Sequence, residues 1–191
     1  QVENLYAIIS MLFEGSFQGY KKCNTEYHNF THTSDALLAV ARLMDGRSAS
    51  KEKFSPELAV NLHLAALLHD TGYIQEDWDN DGTGAKYTTT HVDRSVAFVE
   101  KNAASFHLAK DDVRQISAFI RCTGLNADDI GTLKGDEGEA GAILGTADLL
   151  GQMSDRAYLE KLLFLYYEFR EAGFAGYNTT FDILKNTLSF Y

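Results

Sequence analysis

Residues 55–72 have the sequence SPELAVNLHLAALLHDTG, which is the strongest indication of the fold class. A serine followed by proline and glutamate is a strong signal for a helix start, because serine caps the first turn and proline suits the first helical position. The helix predicted from Leu58 to His69 is apolar on almost every side, which is typical of a helix buried at the centre of a bundle. It ends on the polar pair His69-Asp70.

The rest of the chain predicts the same all-α fold class. Its 191 residues are 45% hydrophobic, which is ample for one buried core, and they include a single proline. We therefore expect one domain, residues 1–191, built as a helical bundle. Besides the central helix, segments with the 3.6-residue apolar period or a capping box predict helices at Asn4–Phe13, Asn29–Met44, Val92–Ser105, Asp111–Cys122, Glu139–Met153, Asp155–Glu171 and from Thr179 onward.

Composition and charge narrow the classes of partner. The net charge of −10 lacks the general positive surface that a nucleic acid polymer requires. No stretch approaches the roughly 18 apolar residues that span a bilayer, and the apolar segment Leu5–Phe13 lacks the basic flank of a signal peptide. Cys23 and Cys122 form no disulfide framework, which indicates a reducing compartment. We expect a cytoplasmic protein that binds a small molecule, with a homo-oligomer left open.

Several polar residues interrupt strongly apolar helical segments. His69-Asp70 ends the central helix, and Asp148 stands within AILGTADLL at residues 142–150. Burying such groups is costly unless they form hydrogen bonds or bind an ion. Together with His32 they make two histidines and two aspartates, a donor set suited to Zn, Mn, Fe, Ni or, less well, Mg. The alternative is three unrelated helices, each with its own satisfied polar group.

The order of these four residues resembles the HD superfamily of metal-dependent phosphohydrolases. The matching residues are His32, the pair His69-Asp70, and the distant Asp148. The resemblance covers about two-thirds of the chain, residues 27–153. It implies a helical bundle of the HD type in which all four residues ligate a divalent metal ion. It also implies a phosphohydrolase activity, that is, hydrolysis of a phosphoester.

Residues 27–35, YHNFTHTSD, carry a more particular likeness. They are similar to the Tyr-His-Asn-x-x-His-x-x-Asp segment of cyclic-nucleotide phosphodiesterases, which implies that His32 is a metal ligand and His28 the general acid. The two histidines are four positions apart, so we expect them to share one face of a helix. The likeness ends further on, because those enzymes have another histidine where this chain has Tyr73.

Three further residues are candidates for binding the substrate. His91 lies 22 residues after His69, and binuclear HD proteins such as the HD-GYP group have an extra histidine at a comparable distance. His91 is therefore either a pocket residue or a plain helix-start side chain. Arg94 and Arg121 are predicted to supply positive charge for a phosphate, although each is otherwise an ordinary surface residue. A second metal ion, bridged through Asp70, remains open.

The longest irregular segment runs from Gly72 to Thr90. Loops of this length are often functional lids, so we predict that this segment is a lid that becomes ordered when substrate binds. Within it, residues 77–82, DWDNDG, copy the opening of an EF-hand, but the twelfth position is Thr88 rather than glutamate, so calcium is not expected. Trp78 is expected either to close over a substrate base or to anchor the loop.

The function predicted from these residues is metal-dependent hydrolysis of a phosphomonoester or phosphodiester, with a nucleotide as the expected substrate. A metal-activated water would attack, His28 would protonate the leaving oxygen, and Asp70 would serve the catalytic centre as a ligand. Two alternatives from other classes remain. One is a catalytically silent HD module that senses or regulates. The other is a di-iron HD-type oxygenase, which needs more histidine and aspartate ligands than the sequence supplies.

Overall fold

The computed structural model describes residues 1–50, 53–124 and 131–190, and these ranges are all-helical, without a β-strand. The prediction of an all-α bundle is therefore confirmed. Two short 3-10 turns, Thr71–Tyr73 and Gly84–Tyr87, lie between the third and fourth helices. The described α-helices are α1 (Val2–Glu14), α2 (Phe30–Ser50), α3 (Pro56–Leu68), α4 (His91–Asn102), α5 (Lys110–Arg121), α6 (Gly135–Met153), α7 (Tyr158–Glu171) and α8 (Thr180–Phe190).

Helix α3 is the buried centre of the bundle. It begins as its sequence predicts, with Pro56 as the first helical residue and the Ser55 hydroxyl accepting a hydrogen bond from the Leu58 backbone nitrogen at 3.2 Å. It packs against α1, α2, α5 and α6, and Leu62 and Leu67 are fully buried. The end of α3 therefore lies inside the protein, where polar side chains need partners.

Helices α2 and α6 form the most extensive helix pair, and a glycine lets them approach closely. A Cβ atom on Gly151 would lie 3.0 Å from the backbone nitrogen of Ala36, which real Cβ atoms rarely tolerate. His32 lies one turn before Ala36, and Asp148 lies one turn before Gly151. The close contact therefore brings a histidine of α2 to an aspartate of α6.

A second, smaller apolar cluster joins α7 and α8 to the segment before α2. It consists of Tyr27, Leu162, Leu165, Tyr166, Phe169 and Ile183, whereas the main core is built from α1 to α6. Among the described residues, no helix combines the length and the apolar character that a bilayer crossing requires.

The segment from Gly72 to Thr90 forms hydrogen bonds within itself and with the segment before α2, and its ordering on substrate stays a prediction. The buried Asp79 carboxylate accepts hydrogen bonds from Gln75, Lys86 and Tyr87 at 3.1, 2.6 and 2.5 Å. The hydrogen bonds from Lys86 and Tyr87 hold the pKa of Asp79 well below its usual value. The segment therefore forms a wall, and the lysine ammonium occupies the acidic turn that resembled a calcium loop.

Candidate metal centre and adjoining cavity

The four predicted metal ligands converge on one point in the interior. The ligand atoms of His32, His69 and Asp148 all lie within 4.8 Å of one another. His32 Nε2 is 3.0 Å from Asp148 Oδ1 and 3.4 Å from His69 Nε2. Asp70 Oδ2 lies 3.2 Å from the His32 nitrogen and 3.3 Å from the His69 nitrogen. Residues from α2, from the end of α3 and from α6 thus form one group able to hold a metal.

A backbone carbonyl orients one of these histidines for metal binding. His69 Nδ1 lies 2.8 Å from the carbonyl oxygen of Ala66. A carbonyl only accepts hydrogen bonds, so Nδ1 donates to it, and Nε2 is the ring nitrogen that faces the aspartates. Histidine ligands of metals typically have this arrangement, since the outer hydrogen bond fixes both tautomer and ring orientation.

The charges of the cluster favour a bound cation. Burial alone would lower the pKa of His32, but the nearby carboxylates of Asp148 and Asp70 outweigh it and raise that pKa to about 9. The pKa of His69 is also raised well above its usual value, because Asp70 and Asp148 outweigh its burial. The same contacts hold the pKa values of both aspartates below their usual range against the effect of burial. The two carboxylates therefore attract positive charge to this point.

One buried carboxylate oxygen indicates whether these residues fit a metal ion. Asp70 Oδ2 has no hydrogen-bond partner among the described residues, although two imidazole nitrogens lie nearby. An unsatisfied buried carboxylate oxygen is costly, and a cation between the carboxylates and the imidazoles would satisfy it. Two nitrogens and two carboxylates suit a first-row transition metal. The residues present therefore fit a divalent ion.

His28 reaches the cavity from outside helix α2. The Asn29 side-chain oxygen accepts hydrogen bonds from the backbone nitrogens of Thr31 and His32 at 3.0 and 3.2 Å, so Asn29 caps the helix. The prediction that His28 and His32 share one helix face is therefore wrong, because α2 begins only at Phe30. The two rings nevertheless lie close, with centroids 5.8 Å apart.

Glu168 of α7 fixes the orientation of His28. Its Oε2 atom is 2.6 Å from His28 Nδ1, and its Oε1 atom accepts a hydrogen bond from the Tyr27 backbone nitrogen at 2.7 Å. Glu168 is 5% exposed. Sequence analysis missed this residue, although a signal was available: an acid beside Leu165 and Phe169, on the apolar face of a helix, is the same pattern that identified the aspartate of α6.

Tyr73 lies between His28 and His91. Its ring stacks on the two imidazoles at centroid distances of 4.2 and 4.6 Å, and its hydroxyl lies 3.5 Å from His28 Nε2. His91 Nδ1 donates to the Thr88 carbonyl at 2.7 Å, and His91 Nε2 lies 3.9 Å from Asp70 Oδ1. His91 is therefore a pocket residue, and Tyr73 is a second site residue that sequence analysis did not select.

A cavity of about 440 Å³ adjoins the metal cluster. Asp70, Asp148 and His28 are among the residues that line it. Apolar side chains such as Leu149 and Phe169 line other parts of the cavity. This volume lies in the range of small-molecule sites, which are mostly apolar with a few polar groups that orient the ligand.

The two arginines predicted to bind substrate lie outside this cavity. Arg94 Nε donates to the Gly72 carbonyl at 2.7 Å, and its Nη2 atom pairs with Glu76 at 3.0 Å. Arg121 pairs with Asp93 at 2.7 Å. Neither side chain lines the cavity, because each is engaged with an acid elsewhere. The structure brings His28 and His91 to the cluster but does not bring these arginines to it.

Comparison with known proteins identifies a family for the chain. A family model described as Npun_R2479-like matches residues 77–191, which is more than half of the chain. The matched residues include Asp148 and Glu168, whereas His32 and the His69-Asp70 pair precede them. No curated protein and no solved structure matches the chain. On the extent of the family match, the chain belongs to the Npun_R2479-like family.

Proposed function

We propose that this protein is a metal-dependent phosphohydrolase of the HD type, acting on a small phosphoester such as a nucleotide. The observation that carries the proposal is the convergence of His32, His69, Asp70 and Asp148 beside a cavity of ligand size. These four side chains would hold the ion. A bound divalent ion would polarise a phosphoryl oxygen and lower the pKa of a water towards ~7, which makes a nucleophile available at neutral pH.

His28 is the group that donates a proton to the leaving oxygen. Glu168 accepts from its Nδ1 atom at 2.6 Å, so the Nε2 atom is the one left to act in the cavity. The carboxylate also stabilises the proton that His28 carries before transfer. Stacking on Tyr73 restrains the ring from turning. A general acid positioned in this way contributes roughly 10²–10⁴ in rate.

Burial of the site assists the same reaction. His69 is fully buried, and Leu165 and Phe169 of α7 line the cavity on the side of the smaller apolar cluster. Apolar walls keep bulk water away from the reacting phosphorus. Electrostatic interactions with the developing charge are stronger in such a site than in water.

The two alternative functions are less well supported. A silent HD module has no need of a buried glutamate that holds His28 towards the cavity, whereas a general acid requires such an orienting group. A di-iron oxygenase needs further ligands, and His91 Nε2, 3.9 Å from Asp70 Oδ1, is the additional nitrogen near the cluster among the described residues. The same experiment separates all three functions.

That experiment begins with elemental analysis of protein purified without added metal, followed by hydrolysis of phosphoester substrates and by oxygen uptake with iron. We expect a bound transition metal and phosphoester hydrolysis without oxygen uptake. His28→Ala should retain the metal and lose about a hundredfold or more in turnover. The loss should be greatest on an alkyl phosphate and smaller on a nitrophenyl ester, whose leaving group departs without protonation.

His63→Ala is the matched control, since His63 Nδ1 bonds to the Ala59 carbonyl within its own helix and the residue lies outside the cavity. It should retain full turnover. Metal-loaded protein that hydrolyses no phosphoester would support the silent module. Oxygen uptake by the iron form would support the oxygenase. Loss of metal from His28→Ala would make His28 a ligand instead of an acid.

A further inference from the structure

Among the described residues, no lysine or arginine lines the cavity beside the candidate metal centre. Among these lining residues, the groups that can carry positive charge are the imidazoles of His28 and His91. Enzymes that bind doubly charged phosphates typically use arginine or lysine clamps.

The described part of the site also gives a bound divalent ion no excess of positive charge. The carboxylates of Asp70 and Asp148 offset the two charges of a divalent ion. The Glu168 carboxylate, with Oε2 2.6 Å from His28 Nδ1, adds a further acid next to the cavity. A second negative charge on the substrate would therefore enter a partly dry cavity without a counter-charge, which is costly. The net charge of −10 on the whole chain adds a repulsion of the same sign.

The cavity walls are better matched to an uncharged organic group on the phosphorus atom than to a second charged oxygen. Leu149, Leu165 and Phe169 are apolar, and Thr146 is neutral. The volume of about 440 Å³ leaves room for organic groups beside a phosphoryl centre. An organic group bonded to phosphorus in place of a free oxygen both fills this space and removes one negative charge.

Resting on the proposed function, we propose that the site selects substrates by charge and accepts phosphoesters with a single negative charge, namely phosphodiesters or phosphonate monoesters. Phosphomonoester dianions and polyphosphates are excluded. In hydrolysis a water oxygen bonds to phosphorus, the ester P–O bond breaks, and the leaving oxygen takes its proton from His28. The water proton is released, and the product is an alcohol with an anion that has one more ionisable oxygen. The same lack of cations then favours release of that product.

The first test compares substrates that share one leaving group. Metal-loaded protein is assayed with 4-nitrophenyl phosphate, bis(4-nitrophenyl) phosphate and 4-nitrophenyl phenylphosphonate. We expect kcat/KM for the two monoanions to exceed that for 4-nitrophenyl phosphate by about tenfold or more. Equal or faster hydrolysis of 4-nitrophenyl phosphate would overturn charge selection while leaving the phosphohydrolase proposal intact.

The second test measures binding and does not depend on turnover. Calorimetry compares phenylphosphonate, at a pH where it is a dianion, with the monoanion diphenylphosphinate, neither of which has an ester bond to hydrolyse. We expect diphenylphosphinate to bind about tenfold more tightly. If no ester is hydrolysed, the proposed function fails, but this preference still decides the inference. Equal binding, tighter phenylphosphonate, or binding of neither would overturn it.

The third test adds the missing charge. Thr123 lines the cavity, and its hydroxyl donates to the Ile120 carbonyl at 2.8 Å, a bond that both replacements remove. Thr123→Lys should reduce the preference for monoanions about tenfold, whereas Thr123→Gln should leave it unchanged. Identical ratios in the two variants would overturn the inference. If Thr123→Lys fails to fold, Leu149→Arg with Leu149→Met as its control makes the same comparison.

Discussion

The histidines beside the cavity are held by two different parts of the molecule. His32, His69 and Asp148 come from α2, the end of α3 and α6, which are helices of the main core. His28 precedes α2 and contacts Glu168 of α7, a helix of the smaller apolar cluster. In the proposed function, metal binding therefore depends on the main core and proton donation on the contact with α7. Substitutions in these two groups of residues should affect different properties.

The largest effect is expected from Asp148→Asn in the candidate metal centre. Removing one carboxylate leaves His32 and His69 facing a neutral amide, so metal affinity should fall by more than about a hundredfold. Elemental analysis and metal titration measure the loss. Glu168→Gln is the matched control, because it also neutralises a buried acid at the cavity yet should leave the metal bound. Full occupancy in Asp148→Asn would remove Asp148 from the ligand set.

A smaller effect is expected from Glu168→Gln, next to His28. The amide keeps the shape but no longer stabilises protonated His28, so turnover should fall about 10–100-fold with the metal retained. Since Glu168 acts through His28, the double variant with His28→Ala should lose no more than His28→Ala alone. If the two losses multiply, Glu168 acts independently of His28.

The contact between α2 and α6 predicts an effect on stability. In Gly151→Ala the new Cβ meets backbone atoms of Ala36, which cannot move without separating the helices, so we expect a loss of about 1–3 kcal/mol in the free energy of unfolding and weaker metal binding. Gly46→Ala in α2 is the control, because nothing lies within 4 Å of its Cβ. It should gain about 0.5–1 kcal/mol from helix propensity. Equal urea midpoints for the two variants would refute the close contact.

The smallest effect concerns the wall segment and its pH dependence. The folded-state pKa of Asp79 lies below its unfolded value of 3.8 because Lys86 and Tyr87 bond to the carboxylate. Its contribution to stability is therefore present above about pH 4 and is lost as the pH falls towards the folded-state pKa. The stability difference between wild type and Asp79→Asn should shrink on going from neutral pH to about pH 3 in urea unfolding. A difference that does not change with pH would contradict this electrostatic role.

Sequence reasoning selected the four residues that cluster in the interior but misplaced the arginines, and the difference has a physical reason. A polar residue within an apolar helical segment can be recognised from the sequence alone. Burying it is costly unless it gains a hydrogen bond, an ion pair or a metal ion, whichever group supplies that contact. An arginine gives no such signal. Arginine side chains such as Arg94 and Arg121 are long and usually lie at the surface. Only the folded structure shows that they form ion pairs with Glu76 and Asp93.

By itself the sequence determined the helices, the central position of α3, and the donor types of the metal cluster, because helical period, capping and burial cost are properties of neighbouring residues. The tertiary structure alone decided that Glu168 meets His28, that Tyr73 stacks between two histidines, and that no lysine or arginine lines the described part of the cavity. These facts depend on contacts between residues far apart in the chain. Glu168 and His28 are 140 positions apart, and only the packing of α7 against the rest of the molecule brings them to 2.6 Å.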